Sequence, residues 1–271
     1  MPVANRSLFE RTHDLTMSEP GVFERTIDQT WWGWQGQFGG YVLALALDAF
    51  RASVTDPSHR EISMSLHFLR RVAAGELRIE VDVVRVGRTI TNLRCTMSVD
   101  DKTVAIGIAL FGSDRESDEY QLAETPELVI PTSPPGPSLI PATAMDHLEI
   151  WDGPSDGRVG WMRLAESGGA DERFGLFAAD GMLPLSFGSN IRPHTGGTVD
   201  FTAHFREQFP QAIVDGEEPV AVVLRTGRSF RGYVDEDAEL WSADGRLLMQ
   251  TRQTRYSEYA PVDIIRELSN G

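Results

Sequence analysis

The stretch GGYVLALALDAF, residues 39–50, constrains the fold of this 271-residue chain more than any other segment. It reads as a helix in which nearly every position is apolar, and a helix apolar all round must be buried all round. The apolar run from Tyr41 to Phe50 is too short to span a bilayer, so protein has to surround it. Directly before it stands WWGWQGQF, and the run itself begins with the pair Gly39-Gly40.

An internal repeat shows what could do the surrounding. VVRVGRTI at 83–90 returns as VLRTGRSF at 223–230, so that Arg85, Gly87 and Arg88 match Arg225, Gly227 and Arg228 at an offset of 140. Upstream, SLHFLRRV at 65–72 resembles TAHFREQF at 202–209, with His67 and His204 offset by 137. Each pair is followed by two alternating segments joined by a short polar turn. These are TNLRCTMSV, DDK and TVAIGIALFG in the first half, and YVDEDAELWS, ADG and RLLMQTRQTRYS in the second. Alternation around such turns is a hairpin signal.

Between the halves lie the acidic SDRESDEYQLAETPEL and the proline-rich SPPGPSLIPATAM, an exposed connector with no core of its own. The division is therefore 1–114, a connector at 115–145, and 146–271. Carrying the offset of 140 back to the opening stretch lands FGGYVLALALDAF on AADGMLPLSFGSN, which predicts the second apolar helix over 178–190. Each half then reads as an N-terminal strand, one apolar helix and several antiparallel strands. A long antiparallel sheet curled around one such helix is the hotdog arrangement. Two of them side by side make an α+β double hotdog, a continuous antiparallel sheet around two central helices.

Composition narrows the functional classes. A net charge of −15 argues against nucleic acid and anionic membrane surfaces as partners, since both need a basic footprint. Cys95 is the only cysteine, which excludes an intramolecular disulfide and cysteine-based metal clusters and suits a reducing compartment. The N-terminus MPVANRSLFERTHDL lacks the apolar core of a secretory signal, and the expected location is cytoplasmic. GRSFRG at 227–232 has one residue too many for a nucleophile elbow and no following helix. GWQGQFGG lacks the spacing and the βαβ setting of a dinucleotide fingerprint. The histidines show no zinc spacing, and no cofactor is implied.

In order and spacing, the segments GQFGGYVLALAL, SLHFLR, RVGRTI, AADGMLP, GGTVDFTAHF and ADGRLLMQTRQ resemble those of the acyl-CoA thioesterase II family, double-hotdog hydrolases of fatty acyl-CoA thioesters. The resemblance runs from about residue 20 to 257 and is weakest in the connector. It implies an acyl-CoA substrate and a water held jointly by an Asp, a Thr and a Gln, which fall on Asp180, Thr198 and Gln253. Ser65 stands where certain relatives carry histidine, and no catalytic histidine is assigned. The segment from Asp180 to Leu183-Pro184 is one residue shorter than in some relatives.

These residue types suit thioester hydrolysis. Asp180 could act as general base, a role worth about 10²- to 10⁴-fold in rate; its structural alternative is a helix N-cap. Thr198 and Gln253 can hold the same water and aim its lone pair. Gly39 and Gly40 open a helix whose first N–H groups lack internal partners, and glycine lets a thioester oxygen approach them; the alternative is close helix packing. Arg70, Arg71, Arg88, Arg206 and Arg228 are candidates for the phosphates of coenzyme A. Trp31, Trp32 and Trp34 are candidates for an acyl tunnel, with plain core as the alternative. Two other readings stand beside hydrolysis. A non-catalytic acyl-thioester or apolar-ligand binder is motivated by the shortened Asp180 segment. A hotdog enoyl-CoA hydratase would need a His paired with an acid, and neither His67 nor His204 sits in such a motif. A homo-oligomer is expected because an open sheet leaves edges and a flat face to cover.

Overall fold

The computed structural model describes residues 6–136, 142–151, 159–166, 168–182 and 194–259. The chain opens with α1 (Leu8–Thr12), β1 (Thr16–Glu19) and β2 (Val22–Ile27). The apolar stretch forms α2 (Gly39–Ser53), followed by β3 (Arg60–Phe68), β4 (Gly75–Val86), β5 (Ile90–Val99) and β6 (Lys102–Gly112). The second half contributes β7 (Leu148–Trp151), β8 (Val159–Leu164), α3 (Glu172–Gly181) and β9 (His194–Phe205). It ends with α4 (Gln211–Val214), β10 (Val220–Arg225), β11 (Ser229–Phe230), β12 (Tyr233–Trp241) and β13 (Leu247–Tyr259).

The strands form one antiparallel sheet in the order β1-β2-β4-β5-β6-β3-β9-β13-β12-β10-β8-β7, with β11 on β12. Both expected hairpins are present. The β5–β6 turn is tight enough to hold Asp100 and Asp101 at positive φ, where Asp is tolerated better than most residues. The halves meet where β3 pairs with β9. Ser65 and Thr202, which correspond at the repeat offset of 137, lie opposite each other there, their hydroxyls 2.8 Å apart. The repeat therefore folds as two similar halves turned about a point between these two residues.

The expectation for α2 holds in detail: Gly40 to Leu47, Ala49 and Phe50 are all buried. Full burial of a Leu or Phe side chain stabilises the fold by about 1.5–3 kcal/mol, and α2 supplies Leu43, Leu45, Leu47 and Phe50 to one core that draws on both halves. The second helix departs from the expectation. It runs over Glu172–Gly181 rather than 178–190, so Asp180 is its penultimate residue and not its start. The N-cap is Asp171, whose carboxylate accepts from the Arg173 N–H at 2.9 Å. Pro184 supplies the physical reason, because a proline inside the expected helix would clash with the preceding turn and leave a hydrogen bond unmade. Residues 183–190 of that expectation lie outside the described residues.

α2 and α3 lie side by side and antiparallel. Gly40 near the start of α2 meets Phe177 and Asp180 near the end of α3, and Arg51 in the last turn of α2 meets Asp171 and Glu172 at the start of α3. A Cβ on Gly40 would sit 2.7 Å from the Phe177 Cα, so this crossing needs glycine. Of the connector, residues 115–136 carry no helix or strand, and Gln121 ties them to the β12–β13 turn through the Gly245 carbonyl and the Leu247 N–H. No helix among the described residues is long and apolar enough to cross a membrane.

Candidate active site

α2 starts without a side-chain cap of its own, because Phe38 occupies the N-cap position. Its free N–H groups and positive dipole end attract an anion. α3 delivers one: the Gly40 N–H donates to Asp180 Oδ2 at 3.0 Å. The repeat pairing of Gly40 with Asp180 thus becomes a physical contact, although it joins the start of one helix to the end of the other. Gly39 makes the approach possible, since a Cβ there would lie 2.6 Å from the same oxygen.

Two strands bring the remaining residues to the other carboxylate oxygen. Thr198 on β9 donates to Gln253 Oε1 on β13 at 2.8 Å and stands 3.4 Å from Asp180 Oδ1. Asp180 is only 6 % exposed and Gln253 only 1 %. Burial pushes the Asp180 carboxyl above the ordinary carboxylate range, while the Arg255 guanidinium and then the Gly40 N–H pull the other way. A carboxylate raised in this manner is a stronger base than one in water.

Asp180, Thr198 and Gly39 all line a cavity of about 410 Å³. Its walls mix apolar groups such as Phe38, Phe68 and Met182 with exposed Arg70 and Arg71, and Trp34 joins them. The remaining candidates lie elsewhere. Trp31 is core, packed edge-on to Phe9 and Phe177 and donating from Nε1 to Thr12. Arg88 is exposed beside the β4–β5 turn, Arg206 bonds Gln250, and Arg228 sits over the Phe230 ring. His67 and His204 occupy the outer face of the sheet, His67 opposite Asp200. Leu183 and Pro184, which bear on the shortened segment, lie outside the described residues, but the aim of the Asp180 carboxylate is given directly by its partners.

Sequence reasoning missed Glu236 and Arg255. Glu236 on β12 pairs directly with Gln253 across the ladder, is 1 % exposed, and accepts from Gln253 Nε2 at 2.9 Å. Arg255 Nη1 lies 3.3 Å from Glu236 Oε1 and 3.5 Å from Asp180 Oδ1. Burial raises the Glu236 carboxyl as well, opposed by Arg255 and reinforced by the charge of Asp180. A signal was available: Val234, Glu236, Ala238 and Leu240 share the parity of an inward-facing strand, and a carboxylate at a core position is seldom idle.

Comparison with known proteins agrees with this architecture. Residues 28–112 match the acyl-CoA thioesterase N-terminal domain, and residues 126–256 match the acyl-CoA thioesterase C-terminal domain. Among solved structures, a hot-dog-fold protein of unknown function from Alicyclobacillus acidocaldarius is similar at 25 % identity and a TM-score of 0.84, covering 95 % of this chain and 100 % of its own. An acyl-CoA thioesterase II from Mycobacterium marinum is similar at 16 % identity and a TM-score of 0.73, covering 94 % of this chain and 98 % of its own. No curated protein matches the sequence significantly.

Proposed function

Because this chain belongs to the double-hotdog acyl-CoA thioesterase family, we propose that it hydrolyses acyl-CoA thioesters with a water activated by Asp180, Thr198 and Gln253. The observation that carries the reading is convergence: three polar side chains from α3, β9 and β13 meet beside a cavity that is also lined by Gly39, the first residue of α2. Asp180 Oδ1 takes a proton from the water as its oxygen bonds to the thioester carbon. The Gln253 oxygen accepts the second proton's hydrogen bond, leaving a lone pair aimed at the carbon. The carbonyl oxygen gains negative charge against the Gly39 N–H, which as the first helical donor has no intrahelical acceptor. Gly40 has a different part in this reading, since its N–H already holds Asp180 Oδ2. Collapse of the tetrahedral adduct breaks the carbon–sulfur bond, and the proton held by Asp180 passes to the departing thiolate, giving free acid and CoA.

Arg70 and Arg71 are exposed on the cavity wall, which supports a role for them in meeting CoA phosphates within an acidic protein. The outer face of β6 exposes Ile106, Ile108 and Leu110, which supports the expected homo-oligomer, and light scattering checks its size. A cytoplasmic location is supported by the lone, buried Cys95. The test of the function is free-thiol release from a panel of acyl-CoAs. Asp180→Asn is expected to lower kcat by about 10²- to 10⁴-fold and to abolish the acidic limb of the pH profile. That limb falls above the ordinary Asp value because burial raises this carboxyl. Near-wild-type turnover by the variant overturns the assignment.

A further inference from the structure

A carboxamide has two nearly isosteric orientations, and only one of them suits the chemistry above. The attacking water must give its protons to acceptors and keep a lone pair for the carbon. An oxygen at the inner end of Gln253 serves this, whereas an NH2 group there would donate to the water and compete for that lone pair. Nothing in Gln253 itself decides between the two. Thr198 does not decide either, since a hydroxyl can donate or accept. The deciding group lies behind Gln253, where Glu236 Oε1 receives Gln253 Nε2 at 2.9 Å and Arg255 Nη1 at 3.3 Å. Turning the carboxamide over would press its oxygen against this carboxylate oxygen in a nearly dry site.

We propose that Glu236 is a positioning residue for water activation. By accepting from Gln253 it fixes the carboxamide oxygen toward Thr198, and by accepting from Arg255 it holds that guanidinium beside Asp180. This inference rests on the reading that Asp180, Thr198 and Gln253 activate the water. Glu236 does not line the cavity, so it acts through Gln253 and Arg255 rather than on substrate. Its cost is plain, because Glu236 Oε2 is buried with no hydrogen-bond partner among the described residues. A buried polar atom left unsatisfied is destabilising, and replacing the whole Gln253–Glu236–Arg255 set by packed apolar residues would spare the fold that cost. Placing a carboxylate there is therefore explained by what it orients.

The experiment separates orientation from structure through two substitutions in the full-length enzyme. Glu236→Leu removes the acceptor and is expected to lower kcat roughly 10- to 100-fold while KM stays within about threefold, as misplacement of a reacting group does. Glu236→Gln keeps an acceptor oxygen and is expected to recover kcat to within about fivefold of wild type. Glu236→Met, unbranched and of similar length, replaces the leucine variant if that one does not fold, with affinity for a non-hydrolysable acyl-CoA thioether as the check on the site. Unchanged kcat in the acceptor-less variant, equal losses in both variants, or a parallel rise in KM each overturns the inference. Thiol release that depends on Asp180 but not on Glu236 overturns this inference alone. A wild-type enzyme that releases no thiol overturns the functional reading and this inference with it.

Discussion

At position 39 one methyl group decides whether a carboxylate and a helix end can meet. The Asp180 carboxylate is wedged between the Gly39 Cα, the Gly40 N–H and Thr198, and an alanine Cβ at 39 would lie 2.6 Å from its Oδ2. That distance is too short for contact, so the carboxylate rather than the helix backbone must move. Gly39→Ala is expected to lower kcat on acyl-CoA about 100-fold, since displacement of a reacting group by about 1 Å costs that much. The displaced carboxylate also loses its bond from the Gly40 N–H, so a fall of a few degrees in melting temperature should accompany the lost activity. Wild-type kcat in this variant would show that Asp180 is not held where the chemistry occurs. The residues of the proposed site were legible in unequal measure. Asp180, Thr198 and Gln253 stood out only through resemblance, because each alone is an ordinary helix or strand residue. Glu236 and Arg255 lay in the strongly charged stretches YVDEDAELW and TRQTRY, where flanking outward-facing charges hide a single inward-facing one.

Helices α2 and α3 are fastened at both ends, by chemistry of opposite kinds. At one end Asp180 caps α2. At the other, Arg51 bonds Glu61 and Glu172 and lies 3.4 Å from Asp171, while Arg173 lies 3.4 Å from Asp48. Asp48 is the least comfortable member: burial raises its carboxyl to about 6, against the pull of Arg173 and Arg51. In the unfolded chain the same group titrates near 3.8. Between these values the folded state binds the proton more tightly, so stability falls as pH rises through the window, and the full cost is present above pH 6. Asp48→Asn removes that cost while keeping an acceptor for Arg173. The variant should melt at a higher temperature than wild type at pH 8, by an amount equivalent to about 1–3 kcal/mol, with the gain shrinking toward pH 4. Thermal melts at the two pH values check it, and a difference independent of pH refutes it. Element positions were legible where period and punctuation agreed, as for α2 and the two hairpins. They were misread for α3, because the offset measured on strands was carried onto a helix whose own markers, Asp171 before it and Pro184 after it, pointed to a start upstream, at Glu172 rather than 178.

On the scale of the whole molecule the two halves share their main core and one sheet, and neither half closes the proposed site. The first half lends the helix end that seats Asp180, and the second lends Asp180, Thr198 and Gln253. The seam at β3–β9 is a continuous ladder from Ser63 to His67, and separating the halves would strip it while exposing the facing sides of α2 and α3. The connector contributes no ladder of its own between β6 and β7 apart from the single bridge of Gly136 to Ile150 among the described residues. The boundary proposed at 115–145 can therefore be tested by cutting the chain. A protease site placed between Glu116 and Tyr120, ahead of the Gln121 anchor, should be cleaved without loss of thiol release. The nicked protein should remain one particle with a single thermal transition, because association of two large apolar surfaces outweighs the one peptide bond lost. Residues 146–271 expressed alone should show no cooperative melt. An independently melting C-terminal half, or activity that vanishes on nicking, would mean that the halves are joined by the connector rather than by the sheet and the two helices.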